Sequence, residues 1–204
     1  MNYLHYLEKE IHSVIAATVD DNGLPVTCAI DIMDSDEKGL YFLTAKGKGF
    51  YHRLKKNEYV ALTGIHAGDT LSRAAVSVRG KVQEIGKTPL LRLFEKNPYM
   101  NEIYPSEESR QALTVFHLYE GSGEWFDLSK KPIERASFTI GSKQEEKQGY
   151  EITQKCNGCR TCQTVCPQDC IVFSIVPAVI RQGNCLHCGN CFHVCPQKAV
   201  IRRG

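Results

Sequence analysis

The sequence has no long apolar run, no large excess of charge, and almost no cysteine in its first three quarters. Its longest apolar stretches are far shorter than a bilayer span, and its polar N-terminal residues do not resemble a secretion signal. A formal net charge of +2, from 25 basic and 23 acidic residues, gives no strong attraction to nucleic acid or to anionic lipid. We therefore expect a cytoplasmic protein with no nucleic-acid partner and no membrane contact.

Cysteine is concentrated at the other end of the chain. Nine of the ten cysteines lie from Cys156 onward, and Cys28 alone precedes them. Residues 156–167 and 185–196 share the spacing C-x₂-C-x₂-C-x₃-C-P, which is typical of [4Fe–4S] binding. Zinc sites and disulfides are the alternatives, but zinc sites usually show cysteine pairs separated by a longer gap. A reducing compartment fits this composition, since thiolates would otherwise be oxidised.

The fourth cysteine of each run, which precedes proline, ligates the other cluster in two-cluster proteins. The sequence therefore predicts two [4Fe–4S] clusters with crossed ligands. One set is Cys156, Cys159, Cys162 and Cys195, and the other set is Cys185, Cys188, Cys191 and Cys166. A shift of 29 residues superimposes the two runs and places Cys170 opposite Ala199. We expect Cys170 to be a buried spacer and not a ligand, because free cysteine is among the most buried residue types.

On these two runs, residues 150–204 resemble the bacterial two-cluster ferredoxin family. The resemblance implies a small α+β fold of short hairpins and helices with pseudo-two-fold symmetry, used for low-potential electron transfer. A segment of this size has too small a core to be stable alone, so cluster binding should supply much of its folding free energy. Residues 141–149 hold no apolar side chain and are predicted to be a linker, which leaves residues 1–140 as a separate domain.

The first domain shows the period-two alternation of β-strands in several short segments, with few helices. Hairpin signals lie at Asn22-Gly23 and within residues 35–39, and Thr88-Pro89 is typical of a helix start. Gly121-Ser122-Gly123 is predicted to turn the chain into a last strand over residues 124–128. Six or seven short strands suggest a small closed barrel.

The connection from Thr44 to Phe50 is the most informative stretch of this domain. Its glycines allow backbone N–H groups to point at a ligand, a helix N-terminus follows, and Lys46 and Lys48 flank it. Together these features suit a phosphate group. An ordinary solvated loop has the same composition, so the residues by themselves leave both interpretations open.

The domain is similar to the pyridoxamine-phosphate-oxidase-like family of flavin-binding split barrels. The similarity rests on five segments, namely residues 16–25, 39–44, 54–57, 59–62 and 76–82. It covers about residues 1–130 and implies a mainly β fold, a split β-barrel with flanking helices that forms a homodimer. It also implies FMN at the dimer interface, with contacts from the loop residues Leu43, Thr44, Lys46, Lys48 and Phe50.

Four positive charges of the family's phosphate site are absent from this chain. The family's oxidases have arginine at the position of Cys28, lysine at Met33, and an arginine–lysine pair at Gly49-Phe50. Cys28 itself lies on the apolar face of a predicted strand over residues 25–32 and is expected in the core. The neighbouring lysines of the loop would replace part of the charge, but as point charges they grip phosphate less specifically than arginine does. Because the cysteine-rich domain replaces the family's C-terminal substrate arm, pyridoxamine-phosphate oxidase activity is not expected.

The sequence thus predicts an iron–sulfur flavoprotein that passes electrons between two [4Fe–4S] clusters and FMN, in order to reduce a small organic substrate. A flavin exchanges one electron or two, which makes it the natural converter between clusters and two-electron chemistry. The expected partners are a second copy of the chain and either a redox protein or a small-molecule substrate. Two alternatives remain: an electron carrier with no substrate of its own, and a flavin-free split barrel that serves as a dimeric mount for ferredoxin modules or binds another planar ligand such as haem. No catalytic residue is predicted.

Overall fold

The structure is a computed structural model that describes residues 1–146 and 148–204. Lys147, which falls in the predicted linker 141–149, lies outside the described residues. The chain forms two compact units. The barrel unit comprises Met1–Gly68, Ala75–Glu124 and Phe138–Gln144, and the cysteine unit comprises Asp69–Ala74, Trp125–Ser137 and Glu145–Gly204.

Strands dominate the described residues, as the alternation predicts. They are β1 (Ser13–Val19), β2 (Pro25–Asp31), β3 (Asp34–Asp36), β4 (Gly39–Ala45), β5 (Tyr59–Ile65), β6 (Ala74–Gly86), β7 (Leu113–Asp127), β8 (Glu134–Ile140), β9 (Gly149–Ile152), β10 (Ile171–Val172), β11 (Val179–Ile180) and β12 (Val200–Arg203). The helices are α1 (Tyr3–Tyr6), which continues into a π-helical turn over Leu7–Ile11, α2 (Gly49–Asn57), α3 (Leu90–Lys96), α4 (Met100–Ile103) and α5 (Asn190–Val194). No helix in the described ranges has the length and apolar character needed to cross a bilayer.

One large sheet organises the barrel unit. Its strand order is β2-β1-β5-β6-β7-β4-β3, and β8 pairs with β7. β2 and β3 are the first and last strands of this order, and β3 pairs with β4. Because β3 follows β2 directly in the chain, the two edges of the sheet are also connected by the chain itself. Between them, the Met33 N–H donates to the Tyr41 carbonyl oxygen at 2.8 Å. The sheet therefore curls until its edges meet, as a small barrel requires.

Large side chains at alternate strand positions fill the barrel. On β5, Val60 and Leu62 are each 1 % exposed, and their neighbours in sequence face outward. Phe42 on β4 and Phe116 on β7 lie opposite one another, with ring centroids 5.9 Å apart. A second apolar cluster joins the sheet to α3 and α4, and its buried members are Met33, Tyr41, Leu90, Leu93, Phe94, Met100, Leu113 and Val115.

The predicted hairpin at Gly121-Ser122-Gly123 is wrong, because β7 runs without a break from Leu113 to Asp127. A Cβ at Gly121 would lie 2.3 Å from the Arg79 carbonyl oxygen, and a Cβ at Gly80 would lie 2.3 Å from that of Glu120. Glycine at these positions permits the close approach of β6 and β7, which is a common reason for glycine inside a strand.

Two further positions differ from the prediction. The turn expected over residues 35–39 is shorter, because β3 takes up Asp34–Asp36 and leaves Glu37 and Lys38 to reverse the chain. Cys28 is half-buried and does not belong to the core. Its strand, β2, is the last in the hydrogen-bonded order of the sheet, and none of the β2 residues is fully buried.

The cysteine unit contains two short antiparallel pairs, β9 with β12 and β10 with β11. Segment Trp125–Ser137 joins this unit through Ile133, whose N–H donates to Gln168 Oε1 at 3.0 Å and whose carbonyl oxygen accepts from Asn184 Nδ2 at 3.1 Å. The internal repeat is visible in the backbone, where left-handed residues recur 29 positions apart. The pairs are Gly158 with His187, Arg160 with Gly189, and Asp169 with Lys198.

Candidate functional site

The eight predicted ligand cysteines come together in two groups of four. The first cluster site is a small cavity lined by Cys156, Cys159, Cys162 and Cys195. The second cluster site is a similar cavity lined by Cys166, Cys185, Cys188 and Cys191, and Cys170 also lines it. Among the described residues, no three histidine, cysteine or carboxylate side chains are grouped to hold a single metal ion. Four predicted ligand cysteines thus line each cavity, and four thiolates are the donor set that a [4Fe–4S] cluster uses.

Backbone N–H groups point at several of these sulfur atoms. The Ala199 N–H donates to Cys195 Sγ at 3.3 Å, and the His187 N–H donates to Cys185 Sγ at 3.4 Å. His187 has φ +56°, a left-handed conformation that turns the chain tightly between two ligand cysteines. Hydrogen bonds of this kind stabilise thiolate and tune the metal group that the thiolate holds.

Burial makes three of these thiols less acidic. It raises the pKa of Cys162 and Cys185, and it raises the pKa of Cys191 to about 11. The exposed Cys159 differs, because the Thr161 hydroxyl, 3.5 Å from its Sγ, holds the pKa below the usual value. Since cluster ligands must be thiolates, iron has to displace protons from the buried thiols. These side chains are suited to hold metal and poorly suited to act as free nucleophiles.

The loop predicted to bind phosphate joins β4 to α2. Its exposed turn is closed by a hydrogen bond of 3.0 Å from the Lys48 N–H to the Ala45 carbonyl oxygen, and Lys46 also faces solvent. Within the described chain, no side chain caps the N-terminus of α2. The lysines and the helix dipole therefore place positive charge at the start of α2.

The other predicted loop contacts are less exposed. Thr44 is 4 % exposed, and Leu43 is half-buried opposite Val115 of β7. The ring of Phe50 packs in the core, with its centroid 6.1 Å from that of Phe42. Phe50 would therefore meet a ligand of this loop through its backbone N–H and not through its ring.

Arg53 belongs to the same site, although the sequence did not single it out. A Cβ at Gly49 would lie 3.0 Å from Arg53 Nη1, so the guanidinium lies over the first turn of α2. Its Nε donates to Thr18 Oγ1 at 2.8 Å, which fixes the side chain. Burial raises the pKa of Cys28, and the charges of Arg53 and Lys48 act against that shift, which places both near the Cys28 thiol.

Arg53 thus lies beside Gly49, one of the positions at which the family resemblance implies a positive charge that this chain lacks. The signal in the sequence is the spacing of four residues between Gly49 and Arg53. In a helix, side chains at this spacing lie on the same face, and the later one leans toward the N-terminus.

These features define a small β-barrel joined in one chain to a pair of four-cysteine cluster sites. The sequence model of the family described as Pyridoxamine 5'-phosphate oxidase matches residues 4–125, and the chain belongs to this family. The model described as 4Fe-4S dicluster domain matches residues 155–199. Both family resemblances noted in the sequence are therefore confirmed.

The curated relatives match only part of the chain. The Pyridoxine/pyridoxamine 5'-phosphate oxidases of Escherichia fergusonii and Salmonella newport are each 31 % identical to it over 91 residues. The match covers 45 % of this chain and 40 % of each of those proteins. The chain thus spans less than half the length of the curated relatives it matches.

Solved structures share the fold. A NimC/NimA family protein from Clostridium acetobutylicum has a TM-score of 0.54 at 18 % identity, covering 68 % of this chain and 91 % of its own. A second protein from that organism, related to general stress protein 26 and to the pyridoxinephosphate oxidase family, has a TM-score of 0.52 at 20 % identity, with coverages of 67 % and 91 %. A heme binding protein from Mycobacterium smegmatis has a TM-score of 0.53 at 12 % identity, with coverages of 67 % and 56 %. At such identities the likeness concerns the fold alone, and it confirms the predicted fold class.

Proposed function

We propose that the protein is an iron–sulfur flavoprotein in which electrons pass between two [4Fe–4S] clusters and FMN, and that it reduces a small organic substrate. The observation that best supports this is the fusion of a 4Fe-4S dicluster domain with a domain of the Pyridoxamine 5'-phosphate oxidase family. When bound, FMN supplies the conversion between one-electron and two-electron chemistry. Because the two domains belong to one chain, each is held at a high effective concentration relative to the other.

The cysteines of the first and second cluster sites would hold the iron with crossed ligation. Three thiols of each run wrap one cavity, and the cysteine before proline reaches the other cavity. The two sites would therefore assemble together, because each run contributes to both. Loss of one pre-proline cysteine, Cys166 or Cys195, should perturb the site that the other run builds.

Arg53 would bind the FMN phosphate together with the lysines at the start of α2. A guanidinium presents a planar fork of donors that matches phosphate oxygens, and a charge-assisted hydrogen bond of this kind contributes about 1.5–3 kcal/mol. The bond to Thr18 holds the fork near Gly49 before a ligand arrives. Arg53 therefore replaces, from within α2, part of the charge that the family carries at other positions.

The barrel unit would form a homodimer through the outer face of β1 and β5. Ile15, Val19, Tyr59 and Ile65 point outward on these strands and are 52 %, 44 %, 46 % and 56 % exposed. By contrast, the side chain of Trp125 on β7 is only 5 % exposed, so its ring is not available for association. In full-length protein, Ile15→Lys combined with Ile65→Lys should give a monomer in sedimentation. The matched control is Ile103→Lys on α4, which replaces an isoleucine of similar exposure (60 %) and should leave the dimer intact.

The first test is composition. Anaerobically purified full-length protein should contain about eight iron atoms and about eight sulfides per chain, with cluster and flavin absorption. One or two zinc ions per chain without cluster absorption would contradict the cluster assignment. If the protein contained the clusters but bound no flavin, even after addition of FMN, the result would favour the alternative of a flavin-free dimeric mount.

The second test concerns the flavin site. Arg53→Gln should weaken FMN binding about tenfold, because it removes one charge-assisted contact. The control is Lys56→Gln on the same helix, since Lys56 pairs with Asp21 in solvent, 2.6 Å apart, and should leave FMN affinity unchanged. Equal affinities in the two variants would remove Arg53 from the site.

The third test concerns the electron path. In rapid mixing, a low-potential one-electron donor should bleach the flavin of wild type faster than that of Cys159→Ala, which lacks one ligand of the first cluster site. Lys56→Gln should behave as wild type. Equal rates in all three proteins would show that the flavin does not receive its electrons through the clusters, and would favour the carrier alternative.

A further inference from the structure

The internal repeat allows the two cluster sites to be compared position by position. Four residues after each pre-proline cysteine, a backbone N–H donates to that cysteine. The Ala199 N–H donates to Cys195 Sγ at 3.3 Å, and the Cys170 N–H donates to Cys166 Sγ at 3.5 Å. Ala199 is 1 % exposed and Cys170 is 4 % exposed, which confirms the predicted burial of Cys170. The backbone bond is common to both sites and does not distinguish them.

The side chains at this position do distinguish the sites. Cys170 Sγ lies 3.5 Å from Cys166 Sγ, within hydrogen-bond range for sulfur, whereas Ala199 carries only a methyl group. A cysteine that ligates iron has lost its proton, so Cys166 as a ligand can only accept. The proton between the two sulfurs then belongs to Cys170.

We propose that Cys170 is a positioning residue that donates an S–H···S hydrogen bond to Cys166 and makes the second cluster site easier to reduce than it would be without this thiol. The inference rests on the proposed function only in that both sites hold [4Fe–4S] clusters, and it does not depend on FMN. The physical reason is that a donor aimed at a ligand sulfur stabilises the negative charge gained on reduction.

The consequence would be a difference between the two sites in how their potentials respond to substitution. Ala199 carries no donor at the matching position of the first site, where the Thr161 hydroxyl lies 3.5 Å from Cys159 Sγ instead. Loss of the Cys170 donor would therefore lower the potential of a cluster held at the second site and leave the first site unchanged.

The repeat also supplies the matched variants. Cys170→Ser keeps a hydrogen-bond donor beside Cys166, while Cys170→Val removes the donor and keeps the space filled. Ala199→Cys places a thiol at the matching position of the first site. A role for Cys170 in packing alone would make serine and valine behave alike, or would make the serine variant the more perturbed of the two, whereas a role as donor separates them.

The test is a potentiometric titration of full-length protein followed by electron paramagnetic resonance, with iron and sulfide counted for each variant. Cys170→Val should lower one of the two cluster potentials, with about a threefold change in the reduced-to-oxidised ratio at fixed potential, or about 30 mV at 59 mV per tenfold. Cys170→Ser should stay near wild type. Ala199→Cys should raise the other potential.

Each unfavourable result has a separate meaning. Unchanged potentials in Cys170→Val with both clusters intact, or equal shifts for valine and serine, would overturn the inference and leave the proposed function standing. If Cys170→Val fails to assemble its clusters, Ala199→Cys still decides, since no rise in its potential would overturn the inference. Wild-type protein without two clusters would overturn the proposed function and this inference together.

Discussion

The barrel unit fills its interior with Phe42, Phe116 and the aliphatic side chains of β5 and β6, whereas the buried core of the cysteine unit contains four of its own thiols. Those thiols are Cys162, Cys170, Cys185 and Cys191, and they pack with Ile171, Ala178, Ile180 and Val200. In the barrel unit the core and the candidate phosphate site are made of different residues. In the cysteine unit the core includes three of the predicted cluster ligands, Cys162, Cys185 and Cys191. The two units should therefore respond differently to loss of metal, to core truncation and to acid.

The largest effect is expected when iron is removed. A chelator under anaerobic conditions should unfold the cysteine unit, because metal binding supplies its folding free energy. The barrel unit should remain folded, since its core holds no metal ligand. The single tryptophan, Trp125, belongs to the cysteine unit, while eight of the nine tyrosines belong to the barrel unit. Tryptophan emission should shift to the red while the near-ultraviolet circular dichroism of the tyrosines is retained.

Substitution provides the matched form of this experiment. Cys162→Ala should reproduce the effect of the chelator, because Cys162 is a buried member of the first cluster site. Cys28→Ala should not, because Cys28 lies in the barrel unit and lines neither cavity. If the tyrosine signal were lost together with the tryptophan signal, the two units would unfold as one. That result would contradict the expected difference between them.

The same contrast explains what the sequence could and could not predict. The thiols of the cysteine unit belong both to its core and to its candidate cluster sites, so their spacing predicted that four cysteines would line each cavity. It did not predict that Cys170 would line the second cavity as well. The barrel depends on diffuse alternation, which located most strands but not their limits. Gly121 looked like a turn because glycine suits both a turn and a close strand crossing, and only the partner strand β6 separates the two. Arg53 was missed because its role depends on the orientation of α2 over β1.

Truncation of a core side chain in the barrel unit should destabilise that unit and leave the cysteine unit unchanged. Phe42→Ala removes a fully buried ring that packs against Phe116 and should destabilise the barrel unit by about 3–5 kcal/mol. Denaturant unfolding followed by tyrosine dichroism measures the loss. Cluster absorption at room temperature should be unchanged, because the ligands lie in the other unit. The exposed Leu91→Ala, at a side chain that is 69 % exposed, is the control and should change stability by less than about 0.5 kcal/mol.

A smaller effect is expected from a single methyl group at the strand crossing. Gly121→Ala would place its Cβ 2.3 Å from the Arg79 carbonyl oxygen, so β6 and β7 would have to separate, at a cost of about 1–3 kcal/mol. Gly47→Ala is the matched control, since a Cβ there has nothing within 4 Å. Equal stability of the two variants would mean that the strands do not approach as closely as described and that the glycine is not required.

The smallest expected effect is the acid response of the barrel unit, which depends on Glu8. This carboxylate is 4 % exposed, with Lys9 Nζ 2.7 Å from its Oε1 and the Ser35 hydroxyl donating to its Oε2 at 2.6 Å. Burial alone would raise its pKa, but Lys9, Ser35 and Lys96 outweigh burial and hold the pKa below the usual value of 4.5. A carboxyl whose pKa is lower in the folded state stabilises the fold above its unfolded pKa.

That contribution should be lost as the pH falls below about 4.5 and through the folded-state pKa of Glu8. The melting temperature of the barrel unit, followed by tyrosine dichroism, should therefore fall between pH 5 and pH 3 in wild type, and fall less steeply in Glu8→Gln. Asp31, whose pKa is also lowered, should leave part of the slope in that variant. The cysteine unit loses metal in acid for a different reason, because protons compete with iron for thiolates. Glu8→Gln should accordingly leave the pH dependence of cluster absorption as in wild type, and a shift of both curves together would mean that the two units are not independent in their response to acid.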